Sequence, residues 1–465
     1  MKKAIGISLV GIVSLAAACS DDTFNSTTPA PDADSPDAST PVEACPAPKA
    51  GPTLHATDIE TNEVWSADTS PHYVDEDISI TEDSTLTIEP CATVLVAKGK
   101  HLDVAYPGNG SGHLMAVGTA ERPIRFAAQT AGHWASIHVR APGTARLAHV
   151  TLESGGGSGD FEDGATLDAI GDGRLPADPT FFLDHVTVKG SIGTGISMKL
   201  GATFFPDSRD VVVTGSGNDA NPFPVEIEEH SMDAFPTGRY EGNEVDEILL
   251  RTYGHGPVNG GLTVDATLHD RGIPYRMGKT VIDDFIVGPA TDMPAATLTI
   301  EAGVVLRFEK QTALVIQAQT DGQARGGLRA LGTAGKPVVF TSAAADPKPG
   351  DWRGIWFGGT PMATNALDHV RIEYAGYDCQ CVLNTCSKAA VESEGAVIFT
   401  GQAPSAFITN TTFKAIAGHG ITQGFDGALV NFRPTNTFED VSGCVQTLPR
   451  PTDTHCSVTP ECDGL

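Results

Sequence analysis

Leu86-Thr-Ile-Glu-Pro-Cys-Ala-Thr-Val-Leu-Val-Ala-Lys-Gly-Lys-His-Leu-Asp-Val104 is answered 212 residues later by Leu298-Thr-Ile-Glu-Ala-Gly-Val-Val-Leu-Arg-Phe-Glu-Lys-Gln-Thr-Ala-Leu-Val-Ile316. Both stretches carry short apolar bursts with period two, such as Leu86 and Ile88, cut by Gly, Pro or charged residues. Period two means one side chain in every pair faces one way, so each burst predicts a short strand with a single buried face. Further bursts follow at Ile124/Phe126, Ile137/Val139, Val150/Leu152 and Val186/Val188. No long stretch shows the 3.6-residue spacing of an amphipathic helix.

The duplication extends well beyond these lines. Ala116-Val-Gly-Thr-Ala-Glu-Arg-Pro-Ile-Arg-Phe126 pairs with Ala330-Leu-Gly-Thr-Ala-Gly-Lys-Pro-Val-Val-Phe340, and His133-Trp-Ala-Ser-Ile-His-Val139 with Asp351-Trp-Arg-Gly-Ile-Trp-Phe357. Leu147-Ala-His-Val-Thr-Leu-Glu153 pairs with Leu367-Asp-His-Val-Arg-Ile-Glu373. His185-Val-Thr-Val-Lys189 answers Asn410-Thr-Thr-Phe-Lys414, where the offset has grown to 225. Insertions are therefore spread among turns while strands keep their spacing. Two-residue hairpin turns such as Asn-Gly are nearly absent, which disfavours a sandwich of hairpins. A solenoid, in which equivalent side chains stack from coil to coil, accepts an in-line duplication without rebuilding its core.

These runs, with the Gly-Thr-Ala-x-x-Pro turn, the Trp-x-x-Ile strand and the His-Val-x-Ile-Glu strand, resemble those of right-handed parallel β-helix lipoproteins of Gram-negative bacteria, related in fold to pectin lyase. The resemblance covers about residues 57 to 443 and implies an all-β right-handed parallel β-helix built from two tandem modules. Most proteins of that group have no assigned activity, so it implies little about chemistry.

The N-terminus predicts export. Lys2 and Lys3 precede an uncharged run from Ala4 to Ala18, shorter than the about 20 residues that span a bilayer. Leu15-Ala16-Ala17-Ala18-Cys19 resembles the lipobox of bacterial lipoproteins, with Ala16 where Leu is usual. That resemblance implies removal of residues 1–18 and acylation, including palmitate, of Cys19. Ser20 after the lipidated cysteine implies sorting to the outer membrane. Ser20 to Pro48 is rich in Pro, Asp, Ser and Thr and has too few bulky apolar residues to fold alone, so 19–50 reads as a lipidated tether. The expected organisation continues with module one over 51–253, module two over 254–443 and a Cys-rich tail or cap over 444–465.

Acidic residues outnumber basic ones 58 to 30. Loss of Lys2 and Lys3 takes the net charge from −28 to about −30, which repels a phosphate backbone and makes nucleic acid a poor partner. Besides the membrane, a glycan or another surface protein is the expected partner. Apart from Cys19 the chain has eight cysteines: Cys45, Cys91, Cys379, Cys381, Cys386, Cys444, Cys456 and Cys462. An even number in an exported chain reads as disulfides, with many connectivities open. If Cys45 closes onto Cys91, two sets of three remain, and at least one bridge must join the loop at Cys379–Cys386 to the tail. Zinc on Cys379, Cys381 and Cys386 is the alternative.

Residues for a reaction are harder to find. The polygalacturonase-like enzymes carry Asn-Thr-Asp, an Asp pair, Gly-His-Gly and Arg-Ile-Lys in order. Here Asp283-Asp284, Gly254-His255-Gly256 and Gly418-His419-Gly420 are present, and the first and last elements are missing. His419 reads as a turn histidine and Asp283-Asp284 as a solvated turn. Gly155-Gly-Gly-Ser-Gly-Asp-Phe-Glu-Asp163, with Asp168 beyond it, resembles a calcium-binding Gly-Asp loop through Asp160, Asp163 and Asp168, though the unit is not iterated. Trp134 with Trp352, and His149 with His369, occupy matching places, which argues for structural roles over a glycan-binding aromatic platform. With no catalytic set identified, the sequence predicts a lipid-anchored envelope protein that binds, adheres or supports without catalysis. A polysaccharide lyase or glycoside hydrolase is the alternative.

Overall fold

In the computed structural model the described residues are 45–449 and 461–464, apart from 107, 158–163, 175–177, 253–260, 281–282, 290–292, 317–323 and 378–394. Ala44–Leu465 forms one compact unit. Among the described residues there are many short strands, a few 3₁₀ turns and no α-helix. The strands pair in parallel between successive coils. The chain is a right-handed parallel β-helix, as the resemblance implied.

The duplicated bursts behave alike. Strand Ser84–Ile88 buries every second residue, and strand Ala296–Ile300 does the same. Leu86, Ile88, Leu298 and Ile300 join one interior cluster that runs from Ile59 to Phe432. Each such side chain contributes roughly 1.5–3 kcal/mol by leaving water. Trp134 and Trp352 are fully buried, and each indole Nε1 donates to a backbone carbonyl two dozen residues or fewer downstream, Glu153 at 2.8 Å and Glu373 at 2.7 Å. These indoles are wall fittings, closed to any ligand.

The corners also repeat. Strand Thr144–Glu153 pairs with Gly112–Val117 through its first half and with Ile124–Ala128 through its second, with His149 between them at φ +49°. His185, His369 and Asn410 hold the same left-handed conformation at φ +54°, +51° and +48°. The Gly-Thr-Ala-x-x-Pro turn closes identically in both copies: Thr119 with Arg122, Thr333 with Lys336.

One feature of the stack departs from simple repetition. A 13-stranded sheet runs unbroken through the whole described body, with Val225↔Ile248↔Tyr275↔Leu306 carrying it past residue 250. The other faces do not continue. A 12-stranded sheet ends at Gly238–Arg239, and two five-stranded sheets begin with Ala266–Leu268 and Phe285–Val287. Strand Thr93–Val96 lies in the 12-stranded sheet, yet its counterpart Val305–Phe308 lies in the long sheet. Leu102–Val104 lies in the long sheet and its counterpart Ala313–Ile316 in a five-stranded one. The second copy is thus placed one face round from the first, within one continuous stack.

Cys45 is bonded to Cys91, one of the pairings the sequence left open. Cys444 is bonded to Cys462 within the tail, where Thr447 bridges Cys462 and Gln446 extends the stack from Ile421. Cys379, Cys381, Cys386 and Cys456 lie outside the described residues, as does Cys19.

The turn glycine Gly332 is required by close approach, because a Cβ there would sit 2.2 Å from the His369 carbonyl oxygen. Gly335, three residues on in the same turn, has open space around it. We expect Gly332→Ala to destabilise the protein by about 1–3 kcal/mol and Gly335→Ala to leave it unchanged, measured by thermal unfolding of the two variants side by side.

Candidate functional site

Strand Val225–Glu228 sits in the long sheet immediately before the faces change over. Alternation sends Val225 and Ile227 into the core and turns Glu226 and Glu228 outward, though both carboxylates stay buried. Arg251 on the next coil donates to Glu226 at 3.1 Å, and its Nε lies 3.7 Å from Asp283. Glu228 accepts the Gly201 backbone N–H at 3.2 Å. Burial, joined by the neighbouring Glu229 and Glu226 carboxylates, pushes the Glu228 carboxyl up to about 8. It is therefore a protonated acid at neutral pH.

The strand runs into a 3₁₀ turn over Glu229–Ser231. His230 places Nε2 3.1 Å from the Thr263 hydroxyl and Nδ1 3.4 Å from Glu229, and burial lowers its pKa to about 4. From His230 the surface opens into two adjoining hollows, about 240 Å³ and 530 Å³, that share Asp233, Asp265 and Ala266. The smaller passes Phe204 and Pro206; the larger passes Thr267, Thr297, Thr299 and Arg329. Together they form a groove crossing the changeover, within the size range of ligand sites.

The groove floor follows from the sheet register. Thr267, Thr299 and Arg329 are outward neighbours on three successive coils. Beside them Gly327 stands opposite Thr297, where a Cβ would meet the threonine hydroxyl at 2.9 Å, so glycine keeps this place open. Asp233 accepts the Thr267 N–H at 2.8 Å and Asp265 the Thr297 N–H at 2.7 Å. Arg329 donates through one arm to the Thr364 carbonyl at 2.9 Å. Hydroxyls, two anchored carboxylates and one guanidinium line this channel. Among the described residues the groove lining brings together no acid and base poised across a bond, and Glu228 is not part of that lining.

The sequence-selected residues fall elsewhere. Asp168 is outward-facing on the long sheet but buried, bonded to His138 Nδ1 at 2.7 Å with Lys199 3.7 Å away. Burial pushes its carboxyl up, but the His138 bond and the Lys199 charge outweigh that and hold it below the usual carboxylate range. Asp160 and Asp163 lie outside the described residues, as does His255. His419 accepts the Cys444 backbone N–H at 2.9 Å in a buried turn. Asp283 and Asp284 are not a solvated turn. Asp284 pairs with Arg353 and accepts the Ala313 N–H at 2.8 Å, and burial pushes its carboxyl up. Asp283 accepts the Lys279 N–H at 2.9 Å. The structure does not gather Asp283-Asp284 and His419 into one site. Glu226, Glu228 and His230 were missed, although Glu-Ile-Glu before Glu-His carries the alternation of a strand with two outward carboxylates.

Residues 285–375 match the family model described as the pectate-lyase like beta helix domain. No curated protein and no solved structure matches the chain. The matched segment includes the groove residues Thr297, Thr299 and Arg329 and excludes Glu228 and His230.

A carboxyl raised in the fold stabilises below its unfolded pKa near 4.5 and loses that contribution as pH climbs through 8. Glu228→Gln removes this loss. At pH 8 to 9 the variant should exceed the parent in stability by on the order of a few kcal/mol, with the gap closing towards pH 4.5, measured by urea unfolding across pH.

Proposed function

We propose that the chain is a lipid-tethered protein of the bacterial outer membrane that binds a glycan chain in the changeover groove without cleaving it. The groove carries the reading: an elongated channel of hydroxyls, with Arg329 able to meet an acidic or strongly hydroxylated sugar, and both carboxylates committed to backbone N–H groups. Parallel coils set these groups at a repeat of about 4.8 Å, close to the spacing of one sugar ring to the next in an extended polysaccharide. The apolar Pro206 at the other end supplies a dry flank. Support for the tether comes from the Lys2-Lys3 leader, the lipobox-like Leu15–Cys19 and the unfoldable stretch after it.

A second reading, a polysaccharide lyase or glycoside hydrolase, draws on Glu228. A carboxylic acid protonated at neutral pH, next to the Glu226–Arg251 pair, is the equipment of a general acid. Against it stands burial: Glu226 is almost fully enclosed, and Glu228 nearly so.

The full chain in detergent, passed over immobilised acidic and neutral polysaccharides, should be retained by at least one, and Arg329→Ala should weaken that retention about tenfold, the cost of losing one charged hydrogen bond. Release of oligosaccharides that disappears in Glu228→Gln would establish the enzyme instead. Separately, Cys19→Ser should move the protein from the membrane to the soluble fraction, read by fractionation; membrane retention of that variant would remove the lipid tether from the reading.

A further inference from the structure

On the coil corners of the first copy, three successive coils present His149, His185 and Asp210 at one place, each in the left-handed conformation. The His149 and His185 rings stack with centroids 4.6 Å apart. Asp184 accepts from His185 Nδ1 at 2.7 Å, which fixes the ring and leaves Nε2 as the free lone-pair side. Nε2 then faces Asp210 Oδ2 at 3.7 Å. That distance is too long for a hydrogen bond. It is close to the separation of two ligand atoms that share one ion at about 2.1 Å each. A carboxylate on one imidazole nitrogen with the other nitrogen directed at a second ligand is the arrangement that orients histidine for a metal.

We propose that His185 and Asp210 form a surface site for a zinc ion, with Asp184 as the positioning carboxylate, the ligand atoms of the three lying within 4.8 Å of one another. Imidazole with carboxylate suits zinc over calcium, which takes oxygen ligands only. Arg209 is the competing cation: it pairs with Asp184 at 2.7 Å and approaches Asp210 at 3.8 Å. Zinc occupancy therefore displaces Arg209 from the two carboxylates, and loss of Arg209 strengthens it. The equivalent corner of the second copy is a built-in control. There Asp368 accepts from His369, Thr409 and Asn410, and asparagine replaces the second histidine.

Calorimetric titration of the full chain in detergent with zinc chloride tests this. The parent takes up one zinc more than the double variant His185→Asn/Asp210→Asn, whose affinity at this site falls at least tenfold; Arg209→Ala binds several-fold tighter, and His369→Asn matches the parent. Asn410 shows that asparagine fits such a corner, and circular dichroism confirms that the variants keep their strands. Without any variant, zinc protects His185 of the parent from diethyl pyrocarbonate, read by mass spectrometry, and excess calcium does not remove that protection. Equal zinc uptake by parent and double variant, unprotected His185, or displacement by calcium each overturns the site.

Discussion

The interior column is the constraint on which everything else depends. Each coil places a few apolar side chains inward, and none buries them alone; burial is completed by the coil before and the coil after. The single cluster from Ile59 to Phe432 is the result. Because neighbouring coils are about 4.8 Å apart, side chains of one kind meet in ladders. Phe308 stacks on Trp352 with centroids 4.2 Å apart, Phe399 on Phe432 at 5.3 Å and Phe413 on Phe438 at 4.7 Å. The same periodicity acts outside. Outward residues also stand in rows, so a strand with two outward carboxylates or three threonine and arginine positions in succession becomes a feature along the axis rather than scattered polarity.

The change of faces near residue 250 follows from what the column tolerates. An inward position accepts any apolar side chain of fitting size. A coil therefore closes as well on the third face of one repeat as on the second face of another. The backbone hydrogen bonds of the long sheet carry across the change, through Val225, Ile248, Tyr275 and Leu306. On the other two faces the sheets end and begin anew, and there the wall is less regular. His230, Asp233 and Asp265 all belong to that seam, which is why hollows open along it. The two internally similar stretches of sequence thus meet out of phase, at a boundary where one sheet ends and two others begin.

Much of this architecture was legible because period-two bursts and repeated turn residues report local backbone geometry directly. Paired Trp134 and Trp352 announced structural roles by their equivalent placement, and their matching bonds to Glu153 and Glu373 bear that out. The phase between copies was not legible. An offset drifting from 212 to 225 records how many residues were inserted, and says nothing about which face the next strand joins. Asp283-Asp284 misled for a similar reason. Two adjacent aspartates before a strand look like a turn in water, and only the distant Arg251 and Arg353 turn them into a paired network. Glu228 and His230 escaped notice because Glu-Glu-His reads as surface charge until the fold encloses it.

The buried polar row on the outside of the long sheet bears on how such a wall can carry charge at all. Asp103, His138, Asp168, Ser197 and Glu226 are consecutive neighbours across strands and all are buried. An isolated buried carboxylate would be costly, and the row meets that cost by placing a polar partner within reach: His101 at 3.1 Å from Asp103, His138 at 2.7 Å from Asp168, Arg251 at 3.1 Å from Glu226. Breaking one partner leaves the other enclosed and unpaired, which is worse than having neither. Glu228 takes the other route, since it has no side-chain base of its own and is neutral instead. Along one sheet face, then, hydrogen-bonded pairs are fixed wall elements, whereas Glu228, whose carboxyl burial pushes up, sits at the seam where the sheets change over.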